Sequence, residues 1–145
     1  MKILILNGPN LNLLGVREPE IYGNQGFDTF YTALVQQFPQ VKFQYYQSNI
    51  EGELIDKIQQ AGLEGISVVF NPGGYTHTSV AIADAIKAAK CRVLEVHITN
   101  LKSREPERHI SLVSAACIGA ITGLGLFGYA LAVSWFMANP EGSVN

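Results

Sequence analysis

Short apolar runs alternate along the chain with amphipathic segments of helical period. Ile3–Leu6 is a continuous apolar run of strand length, closed by the turn cluster Asn7-Gly8-Pro9-Asn10. The spacing predicts a helix over Asp28–Phe38, with Asp28 as its cap and Pro39 closing it. Val41–Tyr46 alternates like a strand, and Glu51–Ala61 brings Leu54, Ile55 and Ile58 onto one helical face, with Gly62 expected just past its end. Ile66–Phe70 reads as a fully buried strand. Thr78–Ala89 reads as a helix with Ile82, Ala85, Ile86 and Ala89 inward, and Arg92–Val96 as another strand. A polar stretch from Asn100 to His109 leads to a strand-like Ala116–Thr122 and a helix-like Leu124–Ala138. Five strands alternating with helices predict a parallel sheet covered on both faces, an α/β, flavodoxin-like three-layer sandwich. No repeat, low-complexity tract or linker divides residues 1–145, so one catalytic domain is expected.

The last helical segment changes this picture. Leu124, Leu126, Phe127, Tyr129, Leu131, Val133, Trp135 and Phe136 surround its axis, and a helix apolar all round must be buried on more than one side. Contacts between copies of the chain are the expected cause. Composition agrees: 48% of the 145 residues are hydrophobic and only 15% charged, which is lean for a soluble monomer. A membrane span is the competing explanation, since no charge occurs from Ser111 to Pro140 and Gly119 and Gly123 form a GxxxG. Glycines at 119, 123, 125 and 128 break that stretch, however, and no Lys or Arg flanks its far end. No membrane association is therefore expected. The net charge of −2, with scattered basic residues, leaves no footprint for nucleic acid. Cys91 and Cys117 lie in apolar stretches and read as reduced core thiols of a cytoplasmic protein. The opening apolar run is too short for a signal peptide.

In open α/β sheets, ligands bind beyond the C-terminal strand ends. Those ends carry Asn7 and Asn10, Ser48 and Asn49, Asn71-Pro72-Gly73-Gly74, and His97-Ile98-Thr99-Asn100. Each is an ordinary turn residue taken alone. Their recurrence at four strand ends points to a ligand with several hydroxyls and a carbonyl. Gly73 and Gly74 precede a helix expected to begin near Thr76 or Thr78, where an anion, a carboxylate more economically than a phosphate, would meet a helix N-terminus. Glu95 lies two residues before His97 and so on the same strand face. A carboxylate there fixes the imidazole tautomer and favours its protonated form, preparing a general acid; a purely structural histidine is the alternative. His77, in the Gly-Gly loop, reads as a ligand hydrogen-bonder.

The connection from Leu11 to Gly26 is long for a compact domain and is a candidate lid. It carries Arg17 and Tyr22. A cation nearby lowers a pKa by roughly 1–3 units, which would make Tyr22 usable as a base, although two side chains on a solvated loop are the commoner reading. The histidines and cysteines show no HxxxH, HExxH or CxxC spacing, so no metal and no cofactor are expected. Gly123–Gly128 matches GxGxxG, but too little chain follows for a second strand and ribose-binding acid; a tight turn with close helix–sheet packing accounts for it better. A flavodoxin-like binding or signalling module is disfavoured, because Asn71 stands where a response regulator needs aspartate and Gly8-Pro9-Asn10-Leu11 is not an FMN phosphate loop.

Six separate blocks give the sequence a resemblance to the type II 3-dehydroquinate dehydratases. They are Leu6–Asn12, Gly15–Pro19 with Ile21–Gly23, Gln47–Asn49 with Glu51-Gly52, Asn71–Ser79, Glu95–Asn100, and Arg104-Glu105 with Arg108-His109. The resemblance implies dehydration of 3-dehydroquinate to 3-dehydroshikimate, the third step of the shikimate pathway, by anti elimination through an enolate. It assigns Tyr22 as the base, Arg17 as the cation that keeps Tyr22 acidic, His97 as the proton donor supported by Glu95, and Asn10 as an enolate stabiliser. It further places Asn71, His77, Ile98, Thr99 and Arg108 at the substrate, beside the Gly73 and Gly74 read above from the turn itself, with Arg104 near the lid and Asp84 in a neighbouring subunit's site. From spacing alone Asp84 is a solvated helix residue. The family's homo-oligomer, a dodecamer of trimers, is implied as well. Thr99 stands where serine is usual, and Ile50, Ala83 and Lys102 replace residues often polar or basic in relatives.

Overall fold

The computed structural model describes residues 1–16, 20 and 26–140. Strands β1 (Lys2–Asn7), β2 (Lys42–Gln47), β3 (Ser67–Asn71), β4 (Val93–His97) and β5 (Gly119–Thr122) form one sheet in the order β2-β1-β3-β4-β5. Every pairing is parallel. This is the flavodoxin-like arrangement. Helices α1 (Phe27–Gln37), α2 (Glu51–Glu64) and α3 (Val80–Ala88) follow β1, β2 and β3 in turn, and α4 (Phe127–Ala138) follows β5.

Period-two alternation assigns the two faces of the sheet. Ile3, Ile5, Val69, Leu94 and Val96 meet Phe27 and Leu34 of α1 and Tyr129, Val133 and Phe136 of α4. Leu4, Leu6, Val68, Phe70 and Val93 meet Leu54 and Ile58 of α2 and Ile82 and Ile86 of α3. Central β3 is buried at every position, whereas edge strand β2 keeps Lys42 and Gln44 exposed. That difference explains why one read as a continuous apolar run and the other as an alternation.

Three local expectations are corrected. Asp28 is not the cap of α1; Gly26 takes that position and Asp28 lies in the first turn. Helix α2 runs through Gly62 to Glu64 and ends at Gly65, whose φ of 65° is left-handed. Gly62 is needed inside the helix because a Cβ there would stand 2.4 Å from the carbonyl oxygen of Ala89. Proximity to the end of α3, rather than helix termination, selects glycine. Helix α3 begins at Val80 and not near Thr76 or Thr78, since residues Gly73–His77 form a separate 3-10 turn and the Ser79 hydroxyl caps α3 by accepting from the Ile82 N–H.

The GxGxxG match behaves as expected. Gly123 and Gly125 adopt φ of 85° and 61° in a turn, and a Cβ on Gly128 would lie 3.3 Å from Val96 Cγ1. Helix α4, apolar except for Ser134, buries Tyr129, Ala130, Ala132, Val133 and Phe136 but leaves Phe127 60% exposed. Among the described residues, no helix is long and apolar enough to cross a membrane.

Candidate active site

Parallel pairing brings the C-terminal ends of the strands level. Asn7 aligns with Gln47 on one side and Asn71 on the other, and His97 aligns with Thr122. Beyond these ends lies a cavity of about 110 Å³, room for a small organic ligand rather than one or two waters. Asn10 enters it after β1. Asn71, Gly73, Gly74 and His77 enter after β3, and His97, Ile98 and Thr99 after β4. Arg104 and Arg108 come from the turns that follow, and Pro9, Leu11, Leu13, Leu14 and Leu101 supply apolar wall. Ten of the expected site residues thus converge. Asp84 does not line this cavity; it is exposed on α3. Arg17 and Tyr22 lie outside the described residues, as does most of the candidate lid.

The chemical centre is the pair on β4. His97 Nε2 lies 2.6 Å from Glu95 Oε1, and both side chains are buried. Nε2 also stands 3.4 Å from the Thr76 hydroxyl. With Nε2 committed to Glu95, Nδ1 is the nitrogen left for the cavity. Burial favours the neutral form of Glu95, yet hydrogen bonds from His97, Ser114 and Ser111 outweigh it and hold the carboxyl below its ordinary value. Ser111 donates to both carboxylate oxygens, at 3.1 and 3.3 Å, and Ser114 donates to Oε2. Sequence reading missed both serines, which sit in a stretch marked only by its lack of charge.

Around this pair the groups are oriented by the backbone. Asn10 has φ of 70°, a left-handed conformation that asparagine tolerates better than most residues, and its N–H donates to Asn49 Oδ1 at 3.0 Å. His77 Nδ1 is 2.6 Å from the Ile110 carbonyl oxygen, so Nδ1 carries the proton. Its Nε2 is buried without a partner among the described residues and is an acceptor for a ligand hydroxyl. Asn71 Oδ1 accepts from the Gly73 N–H at 3.1 Å, and its Nδ2 donates to the Tyr129 hydroxyl at 3.1 Å. Tyr129 in turn donates to Asn7 Oδ1 at 2.8 Å. Burial pushes the Tyr129 pKa well above its ordinary value, so it remains a phenol. Sequence reading had counted Tyr129 among the apolar residues of the last helix.

The helix-terminus anion site is not formed as expected. Gly73 and Gly74 open the 3-10 turn, and the start of α3 is closed by Ser79, whose hydroxyl donates to Glu51. Positive charge reaches the cavity from Arg104 and Arg108 instead. Both approach Glu105, at 3.7 and 2.6 Å, and Arg108 first among the causes holds the Glu105 carboxyl below its ordinary value. Among the described residues, no three His, Cys, Asp or Glu side chains group as metal ligands.

Comparisons with known proteins identify the family. The family model for dehydroquinase class II matches residues 1–137. The chain belongs to the class II dehydroquinases. It is 48% identical over 143 residues to the 3-dehydroquinate dehydratase of Fusobacterium nucleatum, covering 94% of this chain and 97% of the relative. The relative of that name from Exiguobacterium is 51% identical over 135 residues, 92% of either chain. The crystal structure of type II dehydroquinase from Butyrivibrio crossotus superposes with a TM-score of 0.91 at 45% identity, covering 94% of this chain and 97% of that one. This class II dehydroquinase is accordingly an enzyme, and its cavity is the candidate for where it works.

Proposed function

We propose that the chain dehydrates 3-dehydroquinate to 3-dehydroshikimate by anti elimination through an enolate, with neither a metal nor a lysine imine. Family membership and the relatives' name supply the reaction and substrate. One observation carries the acid: His97, paired with the buried Glu95, lines a cavity to which Asn10, Asn71, His77 and Thr99 bring neutral hydrogen-bonding groups.

The Tyr22 phenolate takes the C2 proton, and the electron pair left on carbon is shared with the C3 carbonyl. Arg17 keeps Tyr22 acidic and, with Asn10, meets the enolate charge. As the C1–C2 double bond forms, the C1–O bond breaks, and the departing hydroxyl takes a proton from His97 and leaves as water. Asn71, His77, Gly73, Gly74, the Ile98-Thr99 backbone and Arg108 hold the substrate. Residues 11–26 close over it, with Arg104 near that lid. Asp84 serves the site of a neighbouring copy in a cytoplasmic homo-oligomer, a dodecamer of trimers, to which the exposed part of α4 contributes contacts. Sedimentation as a monomer at micromolar concentration would remove the assembly.

Adding 3-dehydroquinate to the protein should produce the ultraviolet absorbance of a conjugated enone. The rate should survive EDTA and borohydride, and its loss to either reagent rules the mechanism out. Tyr22→Phe should abolish turnover with the fold intact, and His97→Ala should mainly lower kcat. Full activity in Tyr22→Phe means that another group is the base.

A further inference from the structure

Glu95 is a carboxylate buried behind His97, and besides His97 the groups that keep it charged lie outside its own strand. Ser111 and Ser114 reach it from the segment preceding β5. The proton direction in these contacts follows from the rest of the hydrogen-bonding pattern. Ser111 Oγ accepts from the backbone N–H of Val113 at 3.2 Å and of Ser114 at 2.9 Å. Both of its lone pairs are thereby used, so its own proton is free only to donate. It points at Glu95, whose oxygens must therefore accept. A protonated Glu95 would place its hydroxyl against one of these donors or against His97.

We propose that Ser111 and Ser114 are positioning residues of the reaction: together they hold Glu95 as a carboxylate aimed at His97 Nε2, and so set the orientation and tautomer of the general acid. Ser111 does this as part of a turn that it also caps. Ser114 contributes a hydroxyl whose hydrogen bond goes to Glu95 Oε2. The lowered carboxyl pKa of Glu95 agrees, since the serines stand among its causes after burial and His97. Among the described residues, the titratable groups facing Glu95 are His97 on its own strand and the Cys117 thiol. Burial first, and then the charge of Glu95, drives that thiol far above its ordinary range, so it stays neutral and adds no titration at working pH.

This inference rests on His97 being the acid, and a substitution series at position 114 separates the two. Ser114→Thr and Ser114→Val place the same branched shape there with and without the hydroxyl, and Ser114→Ala removes the hydroxyl alone. Without the donor the carboxylate is less favoured, so the acid limb of the kcat–pH profile should move up by about one unit in the Val and Ala variants. With Glu95 aimed less well at His97, their kcat at neutral pH should also fall several-fold, while Ser114→Thr keeps the parental profile. KM should change little in all three, since Ser114 is not at the cavity. Equal profiles for Thr and Val, or a parental profile in Ala with only a lowered melting temperature, would mean that the serines merely build the turn. An unaltered protein that fails to turn over 3-dehydroquinate refutes the acid assignment itself.

Discussion

Tyr129→Phe removes one oxygen atom from a fully buried polar network. The Tyr129 hydroxyl accepts from Asn71 Nδ2 at 3.1 Å and donates to Asn7 Oδ1 at 2.8 Å. Asn7 and Asn71 are 0% and 3% exposed, so water cannot readily replace the lost partner. Among the described residues Asn7 Nδ2 makes no hydrogen bond of good geometry. The substitution strands one donor and one acceptor, each costing about 1–3 kcal/mol, while it relieves the burial of the hydroxyl itself. A net loss of about 2–4 kcal/mol follows. At about 2–4 °C per kcal/mol for a chain of this size, the melting temperature should drop by roughly 10 °C. Asn71 also loses one of its two restraints while keeping the Gly73 N–H, so substrate should be held less well. Circular-dichroism melting and the enone absorbance read the two consequences: a melting drop with a kcat/KM loss of about tenfold. A Phe variant that melts within 2 °C of its parent would show that the hydroxyl does not bridge the asparagines.

Three further outcomes follow from the same geometry. Glu95 has a folded pKa below its unfolded value, so its stabilisation is complete above the ordinary carboxylate pKa of about 4.3 and is lost as pH falls through the folded value. Melting temperature should therefore decline below about pH 4, and Glu95→Gln should flatten that decline. Gly62→Ala should destabilise the protein by about 1–2 kcal/mol in urea unfolding: helix propensity gains about 1 kcal/mol, but a Cβ 2.4 Å from the Ala89 oxygen costs more. Arg92→Ala should cost about 1–2 kcal/mol in the same assay, because its guanidinium donates to the carbonyls of Asn139 and Pro140 just past α4 and lies 5.4 Å from the Phe136 ring. An unchanged unfolding midpoint in either variant refutes the corresponding packing.

Much of the fold was legible because its determinants are local. Strand-length apolar runs with turn clusters after them predicted five strands, and all five form. Errors fell where a distant element overrides a local signal. Gly62 looked like a helix end and is instead the point where α2 touches the end of α3. Asp28 looked like a cap, but α1 starts one residue earlier, after Gly26.

The site divides along the same line. Glu95 and His97 were legible together, because two residues apart on a strand must share a face, and they lie 2.6 Å apart. The turn residues at four strand ends were legible as a group, because a parallel sheet brings all such ends to one edge. Ser111 and Ser114 were hidden in an uncharged stretch, and Tyr129 in a helix whose composition declared only burial. Their partners are 16, 19 and up to 122 positions away. Spacing along one element determines which side chains share its face, and the sequence carries that information alone. Which hydroxyl meets which carboxylate or amide depends on the order in which strands and helices stack, and only the packed structure decides it.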